Sequence, residues 1–147
     1  MVSVNNWLLK NKLKEAEHLS EILNDIKPEK DGNTIQLKSN IVNDIVNTNT
    51  VDLQFIEAEK NYIIITELIE GVPKKTLLRL SMVKALEQIE DENITACHRS
   101  YIVNLKSVIN VKGNSQGLKL VLNENLKPVP VSRSYKKEIT TKLSSLA

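Results

Sequence analysis

The sequence has 147 residues, of which 41% are hydrophobic and 26% charged, as in a soluble globular chain rather than a disordered one. This length suits one domain with a proper core and is too short for two full domains. The longest apolar run, residues 62–65, is far shorter than the ~18 residues of a membrane span, and no secretory signal opens the chain. A single cysteine, Cys97, excludes an internal disulfide framework and a multi-cysteine zinc site. We therefore expect a cytoplasmic protein.

The charge is distributed unevenly, although the net charge is only +2. Residues 1–42 hold six charges of each sign, residues 43–97 hold five basic and ten acidic side chains, and residues 98–142 hold nine basic and two acidic ones. A region this basic can present a local positive field to a polyanion. The alternative is an ordinary solvated surface.

The chain opens with a predicted amphipathic helix over residues 4–27, because five apolar residues recur there at three- and four-residue steps: Leu9, Leu13, Ala16, Leu23 and Ile26. Its apolar stripe has to be buried on its own domain or on a second copy. Residues 27–33 are rich in charge and turn formers and indicate a linker. The predicted units are therefore residues 1–33 and 34–147.

The remainder is predicted to be mainly β, with strands at 35–38, 51–55, 62–66, 76–80, 94–96, 101–103, 108–111, 118–122 and around 129. In the second of these, Val51, Leu53 and Phe55 alternate with the polar residues Asp52 and Gln54. Pro128 and Pro130 cannot donate ladder hydrogen bonds, so the last strand must be an edge strand. One short helix is predicted after an N-cap at Ser81. The final helix has an apolar face formed by Tyr135, Ile139, Leu143 and Leu146.

Enzymatic chemistry has little support. Cys97 and His98 are adjacent, so within a strand they point to opposite faces and cannot act as a nucleophile and its base. His18 lies on the N-terminal helix, and no metal-ligand spacing or Gly-rich phosphate loop is present in the sequence. We therefore expect no catalytic residue, no metal and no cofactor.

Nucleic-acid binding is better supported by two similar tripeptides, residues 98–100 (HRS) and 132–134 (SRS). An arginine can donate two hydrogen bonds to guanine, and serine hydroxyls bind phosphate oxygens. With Ser132 as its cap, the last helix would direct its N-terminus at phosphate, helped by Lys136 and Lys137. Five scattered aromatic residues are too few for single-strand stacking, which favours double-stranded DNA. Alternatively, Arg99 pairs with an acidic strand neighbour and Arg133 is an ordinary surface residue of a helix.

Four segments carry a family resemblance: FIEAEKNY at 55–62, LSM at 80–82, CHRSYIVN at 97–104 and VSRSY at 131–135, with GNSQG between the last two. From about residue 35 to 143 the chain resembles the LytTR family, the DNA-binding output domains of bacterial LytR/AlgR-type response regulators in two-component signalling. The resemblance implies an elongated stack of antiparallel sheets with about ten strands and short helices. It also implies transcriptional regulation through direct repeats in double-stranded DNA, read by loops in the major groove.

Carried over by position, the resemblance places Arg99 and Arg133 at base contacts. A third reading loop falls at Lys60 and Asn61. Backbone contact or loop support is implied for His98, Ser100, Ser132, Lys136 and Lys137, with His98 either stabilising its loop or reading bases.

The segment before the family-like region, about 34 residues long, is too short for a receiver domain. We therefore expect a stand-alone protein or a fragment. Its helix resembles the juxtamembrane helix that joins membrane-embedded sensor regions to LytTR domains. The expected partners are DNA, a second copy of the chain, and a membrane-anchored or receiver partner. The alternative function is a protein-interaction signalling module, favoured if residues 43–97 neutralise the basic region.

Overall fold

The computed structural model describes residues 32–114 and 117–146, so the predicted helix over residues 4–27 lies outside it. The described residues form ten strands: β1 (Thr34–Lys38), β2 (Ile45–Asn49), β3 (Leu53–Glu59), β4 (Tyr62–Ile69), β5 (Val72–Leu78), β6 (Ile94–His98), β7 (Tyr101–Asn104), β8 (Asn110–Asn114), β9 (Gly117–Val121) and β10 (Val129–Val131). They also form helices α1 (Met82–Gln88) and α2 (Lys136–Leu146), with 3-10 turns at Leu105–Ser107 and Arg133–Tyr135. None of the helices in the described ranges has the length and apolar character to cross a membrane.

The strands form three antiparallel sheets: a β1–β2 hairpin, a central sheet in the order β5-β4-β3-β7-β6, and a small sheet in the order β10-β9-β8. The predicted mainly-β architecture with about ten strands and short helices is confirmed. Strand β10, which contains Pro130, is an edge strand, as the missing N–H donors required. The Ser81 cap is also confirmed, because its side chain accepts a hydrogen bond from the Lys84 amide at 3.2 Å.

The central sheet separates two hydrophobic cores. Ile56 of β3 and its partner Ile102 of β7 face one core, which the β1–β2 hairpin and α1 cover. The adjacent pair, Phe55 and Val103, faces the other core, which the small sheet and α2 cover. Successive strand residues point to opposite faces, so the middle strands are apolar on both sides and hold the two layers together.

The alternation of apolar and polar residues at 51–55 is not matched by alternating burial. Val51 lies in the turn before β3 and is 50% exposed, whereas Asp52 and Gln54 are buried. The register of β3 against β4 shifts between Leu53 and Phe55, and such a bulge places two residues opposite one. Leu53 and Phe55 consequently face different cores.

Two other strands differ from the prediction. Strand β2 was not predicted, because its sequence IVNTN contains two asparagines, a residue type depleted in strands. The fifth strand covers Val72–Leu78 rather than 76–80. Glu70 and Gly71 both adopt positive φ and form a two-residue turn, so pairing with β4 begins directly after them.

The Asn104 side chain connects the end of β7 to the turn before β3 through hydrogen bonds. Its amide nitrogen donates to the carbonyl oxygens of Thr50 and Leu53, both at 2.8 Å, and its oxygen accepts from the Lys106 amide at 3.2 Å. The residue is 2% exposed, so these groups have no access to water as a replacement.

Asn104→Ala is expected to lower the free energy of unfolding by about 2 kcal/mol, because the Thr50 carbonyl loses its buried donor. Urea denaturation followed by circular dichroism measures the change. Asn43→Ala, at an exposed position, serves as the control and should stay within about 0.5 kcal/mol of the parent. Equal stabilities for the two variants would contradict this account of Asn104.

Candidate nucleic-acid interface

The β3–β4 hairpin ends in a two-residue turn. Glu59 pairs with Tyr62, which leaves Lys60 and Asn61 as the turn residues, both exposed. Lys60 has a φ of 58°, in the left-handed region that tight hairpin turns require. Both predicted side chains of this third loop are therefore presented to solvent at the tip of a short, strongly paired hairpin.

The β6–β7 hairpin ends in a second two-residue turn. His98 pairs with Tyr101, which leaves Arg99 exposed and Ser100 half-buried in the turn. The Ser100 amide donates to His98 Nδ1 at 3.1 Å, and the His98 ring meets the Tyr101 ring edge-on at 5.5 Å. Both contacts support the loop, as expected if His98 stabilises it, and Arg99 projects from that loop into solvent.

Backbone pairing brings these two turns to the same end of the central sheet. Strands β3 and β7 are neighbours, and the Ala58 amide donates to the Ser100 carbonyl oxygen at 2.9 Å. The centres of the two turns are two strand spacings apart, or about 10 Å. Lys60 and Asn61 therefore lie beside Arg99.

A third loop joins this end of the sheet through residues that follow β10. The Ser132 amide donates to the Cys97 carbonyl oxygen at 3.0 Å, and Cys97 Sγ donates to the Pro130 carbonyl oxygen at 3.5 Å. Arg133 directly follows Ser132 and therefore lies next to strand β6, the strand that leads into Arg99. The three predicted reading loops form one row across the end of the sheet.

The predicted cap at Ser132 needs correction. Its hydroxyl makes no capping hydrogen bond and lies 3.4 Å from the Ser134 hydroxyl. Residues Arg133–Tyr135 form a 3-10 turn, and α2 begins only at Lys136. Ser132 therefore contributes to the interface through its backbone amide.

The exposed face of α2 is basic. A shallow groove on it is lined by Arg133, Lys136, Lys137, Thr140 and Thr141. The two threonines, which bring hydroxyl donors, were missed in the sequence, although helical three- and four-residue steps from Arg133 lead to them. On the opposite face Ile139 is buried as predicted, while Leu146 is 39% exposed.

These cations are electrostatically uncompensated. Within the described ranges neither Arg99, Arg133, Lys136 nor Lys137 forms an ion pair. Among the described residues the basic region makes two ion pairs: Lys142 with Glu138 at 3.4 Å, and Lys127 with Glu57 at 2.7 Å. The hydrogen bond to Glu57 raises the pKa of Lys127. Since Arg99 forms no ion pair within the described residues, the alternative in which it pairs with an acidic strand neighbour is not supported.

Cys97 lies below this surface with a buried thiol. Burial raises its pKa from 9.0 to about 12, so the thiolate is scarce at neutral pH. The side chain packs in the core between the central sheet and α2. Its role at the interface is structural, through the carbonyl that accepts from Ser132.

The comparisons with known proteins agree with this geometry. The family model of the LytTr DNA-binding domain matches residues 43–144, a range that contains all three loops and the basic face of α2. A solved LytTr DNA-binding domain, from a Bacillus cereus protein described as a methyl-accepting/DNA response regulator, is 20% identical. It superposes with a TM-score of 0.55 over 78% of this chain and 98% of that one. No curated protein matches the chain significantly. The chain therefore belongs to the LytTR family of DNA-binding domains.

Proposed function

We propose that this domain regulates transcription by reading direct repeats in double-stranded DNA through its row of three loops. The observation that carries the proposal is the pair of backbone hydrogen bonds, Ala58 to Ser100 and Ser132 to Cys97, which align three exposed cationic loops. LytTR domains bind DNA and are not an enzyme family. The clustering of unpaired cations on one edge also disfavours a protein-binding module.

Each part of the row has its own role in this proposal. Side chains at the loop tips contact base edges: Lys60, Asn61, Arg99 and Arg133. Of these the arginines contribute most, because their forked donors match guanine O6 and N7. Phosphates are bound by the hydroxyls of Ser100 and Ser132 and by the basic face of α2, which fixes the orientation on the duplex without reading sequence.

The spacing of the loops limits the length of the site. Neighbouring turns about 10 Å apart address base pairs about three steps apart along a duplex that rises 3.4 Å per step. One copy therefore reads less than one helical turn, and a longer, more selective site requires two copies on a direct repeat. We accordingly propose a homodimer on cytoplasmic DNA, with the N-terminal segment joining copies or linking to a membrane-anchored or receiver partner.

Selection from a randomised duplex pool tests the proposal. The purified chain is titrated by fluorescence anisotropy at about 50 and 200 mM salt, before and after one round of enrichment. We expect a short repeated motif to be enriched and its affinity to fall steeply with salt. Absence of binding to any duplex at the lower salt concentration would overturn the proposal.

Lys136→Ala/Lys137→Ala is expected to weaken binding to selected and random duplexes alike, because both lysines contact phosphates. The plot of log affinity against log salt should become shallower by about 0.9 for each lysine. Lys75→Ala, on exposed β5 at the other edge of the central sheet, provides the control and should leave the slope unchanged. A loss confined to the selected sequence would show that these lysines read bases instead.

A further inference from the structure

The outer face of the small sheet carries two lysines directly opposite each other. Lys112 of β8 pairs in register with Lys119 of β9, and both are exposed. The residues on either side of Lys119, Leu118 and Leu120, pack into the core, so the lysine pair points away from it.

This arrangement is unfavourable for the hairpin taken alone. Like charges directly opposite on neighbouring strands repel. The flanking registers bring no acidic side chain, since Asn110 pairs with Val121 and Pro130 is the partner of Lys119 on its other side. In the described residues neither lysine forms an ion pair. Two positive charges are thus concentrated on a surface where only an external anion can relieve them.

The lysine pair lies midway along β8 and β9, in the small sheet whose edge strand β10 leads into the interface. Val131 pairs with Leu118, and the chain then runs directly into Ser132 and Arg133, so the paired residues Asn114 and Gly117 are at the same end of the small sheet as Ser132 and Arg133. Lys112 and Lys119 line one concavity together with Pro130 and Val131. The pair therefore lies beside the strand that leads into Arg133.

We propose that Lys112 and Lys119 together bind the phosphate backbone of the DNA on the far side of Arg133, extending the contacted site past the reading loops. The inference rests on the proposed function and adds a contact that neither the residue types nor the family resemblance had assigned. Lysine acts as a point charge toward phosphate, so this contact adds affinity and salt dependence without sequence preference.

The test compares Lys112→Gln/Lys119→Gln with a control that removes two exposed lysines from β5, Lys74→Gln/Lys75→Gln. Each variant is titrated against the selected duplex in two lengths, ending at the Arg133 contact or extended about one helical turn beyond it. On the extended duplex we expect the salt slope of the first variant to fall by about 1.8, and that of the control to stay at the parent value. On the trimmed duplex the variant and parent should coincide.

Lys112→Glu separates a binding effect from a folding defect. It places an acid opposite Lys119, so the melting temperature should stay the same or rise while affinity for the extended duplex falls. A lowered melting temperature together with lowered affinity would overturn the proposal, as would an unchanged slope for Lys112→Gln/Lys119→Gln. If the parent chain itself binds no duplex, the proposed function fails; if it binds with a slope independent of these lysines, only this inference fails.

Discussion

Arg133→Ala is expected to weaken binding to the selected duplex by about 5- to 150-fold, equivalent to about 1–3 kcal/mol, and Arg99→Ala by a similar factor. Each arginine is exposed, unpaired within the described residues, and held by a backbone hydrogen bond of its own loop to a neighbouring strand. Removing the side chain should therefore delete the proposed base contact and leave the scaffold intact. Random duplex, which offers no matched guanine, should lose far less.

Selection repeated with each variant locates the contact. We expect sequence preference to relax at one position for Arg99→Ala and at a different position for Arg133→Ala, at a fixed separation, because the two loops occupy fixed places in the row. Lys75→Ala controls for the loss of one positive charge and should change neither preference nor affinity appreciably. Equal losses on selected and random duplexes would contradict the reading role of the arginines.

Cys97 is expected to react with a thiol reagent about 1000-fold more slowly in the native protein than in the unfolded chain at pH 8. Burial raises the pKa of Cys97 from 9.0 to about 12, which lowers the thiolate fraction at pH 8 by about that factor. Cys97 is the sole cysteine of the 147 residues, so the absorbance change of a chromogenic disulfide reagent reports the reaction of this one thiol. The comparison is made with and without about 6 M guanidinium chloride.

The same pKa shift has a consequence for stability. The thiol is an acid whose pKa is raised on folding, so above pH 9 the unfolded state loses its proton first and the native state is disfavoured. The contribution of this group is therefore complete below pH 9 and is lost as the pH rises toward 12. Unfolding followed from pH 8 to 11 should show a decline that Cys97→Ala lacks. Rapid labelling of Cys97 in the native protein at pH 8 would contradict the reactivity prediction, because it would show that the thiol is accessible.

The mainly-β fold was predictable because its signals are local. The prolines around Val129 required an edge strand, and Ser81 marked the start of α1 by the capping geometry it offers. The bulge at Leu53 was not predictable, since the shift arises from pairing with β4 and not from the residues themselves. Strand β2 was not predictable for a related reason. Its asparagines are tolerated because β1 supplies the pairing, which the local sequence does not encode.

The candidate site residues were predicted from residue type and family resemblance, but the hydrogen bonds that bring their loops together were not. The bonds that align the loops join Ala58 to Ser100 and Ser132 to Cys97, pairs far apart in the chain whose contact no local pattern encodes. The Ser132 cap was wrong because a 3-10 turn precedes the helix. Thr140 and Thr141 could have been found, since helical spacing from Arg133 predicts them on the basic face.

The bonds that align the three loops involve only amide and carbonyl groups of the main chain. Such bonds are indifferent to which side chain the turn residues carry, so they place no constraint on positions 61, 99 and 133, whereas the left-handed backbone at position 60 disfavours β-branched residues. If the loop tips read DNA as proposed, promoter preference can diverge by substitution at these three positions while the fold is inherited unchanged. Libraries randomised at positions 61, 99 and 133 should then yield folded domains with new target sequences.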